Sequence, residues 1–304
     1  MTIPEKQLEA WAGVGALAAS ETTYTSIKAA LDAYKWPAGM RYEVYLQGSY
    51  RNKTNTRGDS DVDVIAELTS NATFDTSALL PGDAAAVART YTPVRHTFDD
   101  FRDEVEGALN AYYGYFGVIN NEKCFHVSAA SGRLGADVVP CMSLHKYYPG
   151  RPRADGITFQ PRLSSRWLEN YPKLHFAHGA QKNAATREYF KPMARIFKNA
   201  RKVINDGRLW SISAPSHFLE CLLYNVPDAM FGTSYQDTFR NSVEWLALVL
   251  PTAVGEAFTC QHEQLALFGD RPEQWTRDDA ISLVGALGEL WKEWYDDASL
   301  LPRL

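Results

Sequence analysis

Apolar and polar residues alternate with two different periods along this chain, and the period changes near its middle. Leu8, Trp11, Val14 and Leu17 recur every three residues, which predicts a helix over 4–17. A second helix is expected over 20–35, where Ser20 and Glu21 suit a helix start. Over 41–47 the period drops to two. Tyr42, Val44 and Leu46 share one face, and the stretch reads as a strand ending at Gly48. "DVDVIAEL" (61–68) is the next strand, with Asp61 and Asp63 on one face and Val62 and Val64 on the other. A loop rich in Thr, Ser, Asn and Gly is expected over 69–83, then a helix from Thr97 to Tyr113. Residues 123–129 and 133–139 read as two strands joined by a hairpin at Ser131-Gly132. Pro149-Gly150 and Asp155-Gly156 both carry turn residues, which predicts another short hairpin within 145–161.

After Pro161 the helical period takes over, with helices expected over 187–206, 214–226, 235–250 and 277–298. Strands gather in the first half and helices in the second, the signature of an α+β protein. The expected division is 1–161 for a sheet-bearing core with N-terminal helices and 162–304 for a helical domain, the two sharing a cleft.

Composition narrows this picture. A chain of 304 residues suffices for one large domain or two modest ones. Its 45% hydrophobic and 22% charged residues exclude a mainly disordered chain. The net charge of −5 argues against a grip on long nucleic acid, which asks for a basic excess, so any basic site must be local. Cys124, Cys141, Cys221 and Cys260 form no CxxC pair and show no spaced His partner, which argues for reduced thiols and against a zinc site or a disulfide framework. The N-terminus lacks the basic and apolar regions of a signal peptide, and no apolar run approaches the roughly 20 residues of a membrane span. A cytoplasmic location is expected.

The aspartates change the picture most. Asp is a poor strand former, and two like charges on one strand face repel unless something neutralises them. Carboxylates at i and i+2 can hold one or two hard cations of the Mg²⁺ class, which take oxygen ligands and keep substrate phosphates as partners. Two-metal phosphoryl transfer asks for a third carboxylate near the activated hydroxyl. Asp137 interrupts an apolar strand of Leu134, Ala136, Val138 and Val139, and is the candidate; the alternative is an ordinary pairing with Arg133. Gly48-Ser49 sits on a turn, with eleven residues between it and Asp61. Such a turn lets backbone amides and a hydroxyl approach the outer phosphates of a nucleotide.

On the helix around 190–203, Lys191, Arg195, Lys198 and Lys202 fall within about 60° of one another at 100° per residue. A solvated face would explain them, and so would a triphosphate that relieves their mutual repulsion. Lys198 is the first candidate for a phosphate contact, with Lys191 or Lys182 second. Tyr147, Tyr148, Tyr171, Phe190 and Tyr224 are candidates to stack on a base.

The run "QGSYRNKTNTRGDSDVDV" with the later "ADVVPC" resembles the DNA polymerase β-like nucleotidyltransferase superfamily. With "GITFQP", "ENYPKLHFAHGAQKNAATREYFKPMARIFKNARKV" and "PSHFLECLLYNVP", residues 40 to 230 resemble the bacterial cGAS/DncV-like nucleotidyltransferases (CD-NTases) of CBASS antiphage defence, near the CdnE-type clade. The resemblance implies a mixed β-sheet core with flanking helices and a C-terminal helical half, bilobed around a central cleft. It implies a cytoplasmic, monomeric enzyme that joins NTPs (UTP and ATP foremost) into a cyclic di- or oligonucleotide read by an effector protein, without long nucleic acid or membrane. By the same resemblance Gln47, Gly48 and Ser49 would hold the donor triphosphate, and Asp61 and Asp63 would bind two Mg²⁺ ions, for which Mn²⁺ could substitute. Asp137 would bind the catalytic metal and help activate the acceptor 3′- or 2′-hydroxyl. Lys198 would lie near the phosphates, and Asn170 would favour a pyrimidine such as uridine. The alternatives are another polymerase β-like transferase, acting on an RNA end, a small molecule or a protein, or a non-catalytic NTP-binding scaffold.

Overall fold

A computed structural model describes residues 2–15, 17–57, 61–92, 95–207 and 212–294. In chain order the elements are α1 (Glu5–Ala12), α2 (Leu17–Asp32), β1 (Tyr42–Leu46), α3 (Gly48–Asn52), β2 (Asp61–Asp75), α4 (Pro81–Arg89), α5 (Phe98–Tyr113), β3 (Val118–Asn120), β4 (Phe125–Val127), β5 (Gly135–Tyr148), β6 (Arg151–Phe159), β7 (Leu168–Asn170), α6 (Pro172–Ala185), α7 (Phe190–Asp206), α8 (Ser216–Tyr224), α9 (Tyr235–Val249), α10 (Ala253–Glu256) and α11 (Arg277–Lys292). They group into two compact units. One comprises Ala16–Tyr50 and Ser60–Leu174; the other comprises Met1–Gly15, Arg51–Asp59 and His175–Leu304. A division after residue 161 was the expectation. The sheet unit continues past it because β7 pairs with β6, and β6 with β5.

In the sheet unit, strand order runs β1-β2-β5-β4-β3, with β6 and then β7 added on the far half of β5. The central pair, β2 and β5, is parallel, and β1 lies antiparallel on the outer side of β2. One face carries Val62, Val64, Ala66, Leu68, Ala136 and Val138. It is covered by Ile27, Ala30 and Leu31 of α2 and by Phe101, Val105 and Leu109 of α5. Thr97 caps α5 reciprocally with Asp100, which explains the sharp start of that helix. The opposite face holds a smaller apolar cluster of Tyr45, Ile65, Val139, Cys141 and Ile157. The aspartates project from this second face, by the strict alternation of the strand.

Several expected elements moved, each for a local reason. Strand β2 runs through the supposed loop to Asp75, because after a bulge between Leu68 and Ala72 it keeps pairing with β5, and Lys146 binds the Asp75 carboxylate at 3.0 Å. Asp155-Gly156 is no turn but lies inside β6; a Cβ on Gly156 would collide with the ring of Tyr171. The first helix stops at Ala12, which leaves Val14 and Leu17 exposed. Helices α4 and α6 lack an apolar stripe, burying respectively nothing and only His175, Gly179 and Asn183, so no period announced them.

The helical unit packs α1, α7, α8, α9 and α11 around Phe190, Met193, Phe197, Phe218, Leu222 and Phe239. Its buried charges are paired. Arg195 donates from Nε to the Ala12 carbonyl at 2.5 Å, and Lys198, 3% exposed, donates to Glu220 Oε1 at 2.7 Å and to the Thr54 carbonyl at 2.9 Å. Glu220 of α8 also accepts from the Thr54 hydroxyl at 2.7 Å, and Lys198 holds this carboxyl ionised against the cost of burial. Within the stripe of α7, Lys198 is thus neutralised by Glu220, and Arg195 is satisfied by backbone carbonyls. Replacing Lys198 by Met leaves Glu220 charged and buried. We expect Lys198→Met to lower the unfolding free energy by about 3–5 kcal/mol in urea titration; an unchanged midpoint would refute the pairing.

Candidate active site

The site begins with a register. In the parallel β2–β5 pair Asp63 lies beside Asp137, and Asp61 beside Gly135. Three carboxylates therefore stand on one sheet face across two neighbouring strands. Two glycines make room for them. Gly48 has φ +67°, a left-handed conformation that a side chain disfavours, and a Cβ there would strike the Asp63 carboxylate. A Cβ on Gly135 would strike the Asp61 carboxylate and approach the His126 ring at 3.1 Å. The Gln47 amide donates to the Asp63 carbonyl at 3.0 Å, so the ladder continues up to the Gly48 turn and fixes where it begins. Tyr50, buried in the sheet core, anchors α3 just beyond Ser49.

Asp137 pairs with His126, not Arg133. His126 Nδ1 lies 2.8 Å from Asp137 Oδ1, whereas Arg133 donates to the Ser128 carbonyl at 2.6 Å and stacks on Tyr113. The negative field of the aspartates registers on a neighbour. Burial first, and then the charge of Asp137 with a smaller part from Asp63, pushes the Cys124 thiol up to about 12. Three hard oxygen donors, a cradle without Cβ atoms and a negative field fit a divalent cation of the magnesium class.

Of the other expected site residues, the structure brings Asn170 to Gln47: its Nδ2 donates to Gln47 Oε1 at 3.4 Å, while its Oδ1 accepts from the Tyr171 amide at 2.8 Å. The candidate base reader thus sits one residue from the Gly48 turn. Lys182 and Lys198 belong to the helical unit and are already engaged there, Lys182 with Asp228 at 2.6 Å and Lys198 with Glu220. Lys191 keeps a lowered pKa, from burial and then from the like charge of Lys53. Among the aromatic candidates, Tyr171 and Phe190 are core residues, 0% and 1% exposed, and cannot offer a ring to a base. Tyr148 carries Arg151 on its ring, and Tyr147 stacks on Phe74. His126 and Gly135 escaped the sequence reading. The signal was a Gly two residues before Asp137 and a His on the preceding hairpin strand.

Residues 27–109 match the model of the nucleotidyltransferase domain, and residues 177–292 match that of the cGAS/DncV-like nucleotidyltransferase C-terminal helical domain. Over 300 residues the chain is 44% identical to a cyclic UMP-AMP synthase from Rhodothermus marinus, covering 97% of this chain and 99% of that one. The chain belongs to the cGAS/DncV-like nucleotidyltransferases. Within the family it is CdnE-like. It is 34% identical to the cyclic nucleotide synthase CdnE01 of Staphylococcus haemolyticus over 306 residues, 97% of this chain and 100% of the relative. The solved structure of the Rhodothermus marinus CdnE c-UMP-AMP synthase with Apcpp and Upnpp superposes with a TM-score of 0.87 at 43% identity, over 96% of this chain and 97% of that one. This CdnE-like nucleotidyltransferase is accordingly an enzyme of the kind that makes cyclic oligonucleotides, with a mixed sheet and a C-terminal helical domain. Among the described residues no helix is long and apolar enough to cross a membrane.

The cradle can be tested by filling it. We expect Gly135→Ala, whose methyl collides with Asp61 and crowds His126, to lower nucleotide incorporation at least tenfold while circular dichroism stays unchanged; wild-type rates would show that the two carboxylates need no such space.

Proposed function

We propose that this enzyme joins UTP and ATP into a cyclic UMP–AMP dinucleotide, in the cytoplasm and as a monomer, and that an effector protein reads the product as an antiphage signal. The observation that carries the reading is the pairing of Asp63 with Asp137 across β2 and β5, with Asp61 two residues away and Gly48 against Asp63. The products named for the relatives, above all the 44% identical synthase, support the choice of bases.

In each half-reaction the acceptor hydroxyl oxygen bonds to the α-phosphorus of the donor. The bond to pyrophosphate breaks, and the hydroxyl proton departs. A second such step on the linear intermediate closes the ring. Asp61, Asp63 and Asp137 would hold the divalent cations, magnesium or manganese, which supply charge neutralisation for the triphosphate and acidify the attacking hydroxyl. Gln47, Gly48 and Ser49 would position the donor phosphates through a turn whose φ only glycine adopts freely. Asp137 would receive the hydroxyl through Oδ2, since His126 occupies Oδ1 and holds the carboxyl in orientation. No protein nucleophile is needed, so rate rests on positioning and electrostatics. Asn170, tethered to Gln47, would present its amide to the Watson–Crick edge of a pyrimidine.

The test is synthesis without primer, each of the four NTPs radiolabelled in turn, followed by phosphatase and chromatography. The reading expects a phosphatase-resistant product carrying uridine and adenosine labels, and none from Asp61→Asn/Asp63→Asn at unchanged fold. Product from that double variant would remove the aspartates from the chemistry, and label transfer only to added RNA or protein would favour a transferase of another kind. Asn170→Ser is expected to shift incorporation from uridine toward purines by severalfold; an unchanged label profile would take Asn170 out of the base pocket.

A further inference from the structure

A second cluster of ligating side chains lies entirely within the helical unit and has no part in the chemistry above. His217 and Cys221 are one turn apart on α8, with His217 Nε2 3.6 Å from Cys221 Sγ. His175 of α6 stacks on His217 at 4.7 Å between ring centroids. One nitrogen of each imidazole and the Cys221 sulfur lie within 4.8 Å of one another, with His175 and Cys221 buried and His217 exposed. The spaced His partner that the sequence reading denied to the cysteines exists after all, at i,i+4 on a helix.

Two further observations point to a ligand. Glu220 Oε2 lies 3.2 Å from His175 Nε2, and its other carboxyl oxygen accepts from Lys198 Nζ at 2.7 Å, so the carboxylate faces Nε2 as the acceptor of its hydrogen. The lone pair is then on Nδ1, and Nδ1 is buried with no hydrogen-bond partner among the described residues, in a side chain only 5% exposed. An unpartnered buried acceptor costs about 1–3 kcal/mol. A carboxylate that fixes a histidine tautomer through the far ring nitrogen is also the arrangement that outer-sphere partners adopt around metal-ligating histidines.

We propose that His175, His217 and Cys221 bind a soft or borderline transition ion of the Zn²⁺ class, with His175 Nδ1, His217 Nε2 and Cys221 Sγ as ligands and Glu220 as the outer carboxylate. Two nitrogens and one sulfur suit zinc rather than magnesium, and three protein ligands leave a fourth position for water on the side where His217 meets solvent. Tetrahedral ligands at zinc sit about 3.5 Å apart, given bonds of 2.0–2.3 Å. The cluster closes to that spacing if the exposed His217 ring turns out of its stack on His175. The ion would join α6 to α8. The site is independent of the nucleotide reading and stands or falls apart from it.

The experiment uses the full chain carrying Asp61→Asn, Asp63→Asn and Asp137→Asn, so that the oxygen site takes up no ion. The protein is stripped with a chelator and titrated with Zn²⁺ alone, in competition with a chromogenic chelator. One Zn²⁺ per chain is expected, bound at least tenfold more weakly after His217→Ala and equally well after Cys260→Ser. Co²⁺ in place of zinc should give a thiolate-to-metal charge-transfer absorption that Cys221→Ser abolishes. His217 is at the surface, so His217→Ala keeps the fold, which circular dichroism without metal verifies. Failure to retain zinc against the chelator, equal binding by His217→Ala, or a cobalt spectrum lacking the thiolate band each overturns the site.

Discussion

The parallel pairing of β2 with β5 is the constraint on which the active site depends. Its register places Asp63 beside Asp137, and nothing in the electrostatics of two carboxylates favours that neighbourhood. At about 4 Å near a protein surface, two like charges repel by about 4 kcal/mol. The register holds because the other face of the same strands is committed. Val62, Val64, Leu68 and Val138 are fully buried beneath α2 and α5, and each contributes about 1.5–3 kcal/mol by leaving water. Sliding β2 by one residue against β5 would turn Val62, Val64 and Leu68 toward the aspartate face and Asp61 and Asp63 toward the core. The packing that stabilises the sheet therefore also fixes the three carboxylates of the proposed site.

Glu220 plays a comparable part in the helical unit. It gathers Lys198 of α7, His175 of α6 and the Thr54 hydroxyl around one carboxyl. A buried ionic cluster of this kind adds little net stability over an apolar replacement, yet removing one partner is costly because the others lose their counter-charge. What such a cluster supplies is specificity of arrangement. It fixes how α6, α7 and α8 meet, and it sets the tautomer of His175.

The α+β class, the strands carrying Asp61, Asp63 and Asp137, and the glycine turn before them were legible in the sequence, because alternation of period two exposes any charge placed within it. The helices with an apolar stripe were equally legible. Where a stripe is missing, as in α4 and α6, the helix was invisible, since period is the only signal and polar positions carry none. The extension of β2 to Asp75 was hidden for the converse reason: Thr, Ser and Asn resemble a loop until a partner strand takes up their hydrogen bonds. The cations of α7 share one stripe, and a solvated face or a bound triphosphate would each explain them; the structure adds internal partners for two. Glu220, which pairs with Lys198, and the backbone carbonyls of Ala12 and Thr54, which accept from Arg195 and Lys198, come from segments distant in sequence that no local pattern can join. His126 belongs to the same class, a residue that matters only through the antiparallel neighbour that β4 makes of β5.

The two donor sets of this chain sort cations by chemistry. The aspartates offer hard oxygens on one sheet face, with Asp137 about a third exposed, a donor set suited to the magnesium-class ions of the proposed reaction, which would arrive and leave with substrate phosphates. The histidines and cysteine offer nitrogen and sulfur, with two of the three buried. There a soft ion of the proposed kind would be held by ligands of which only His217 meets solvent. Affinity alone would not keep the ions apart, since zinc outcompetes magnesium at most sites. Ligand softness and burial do so.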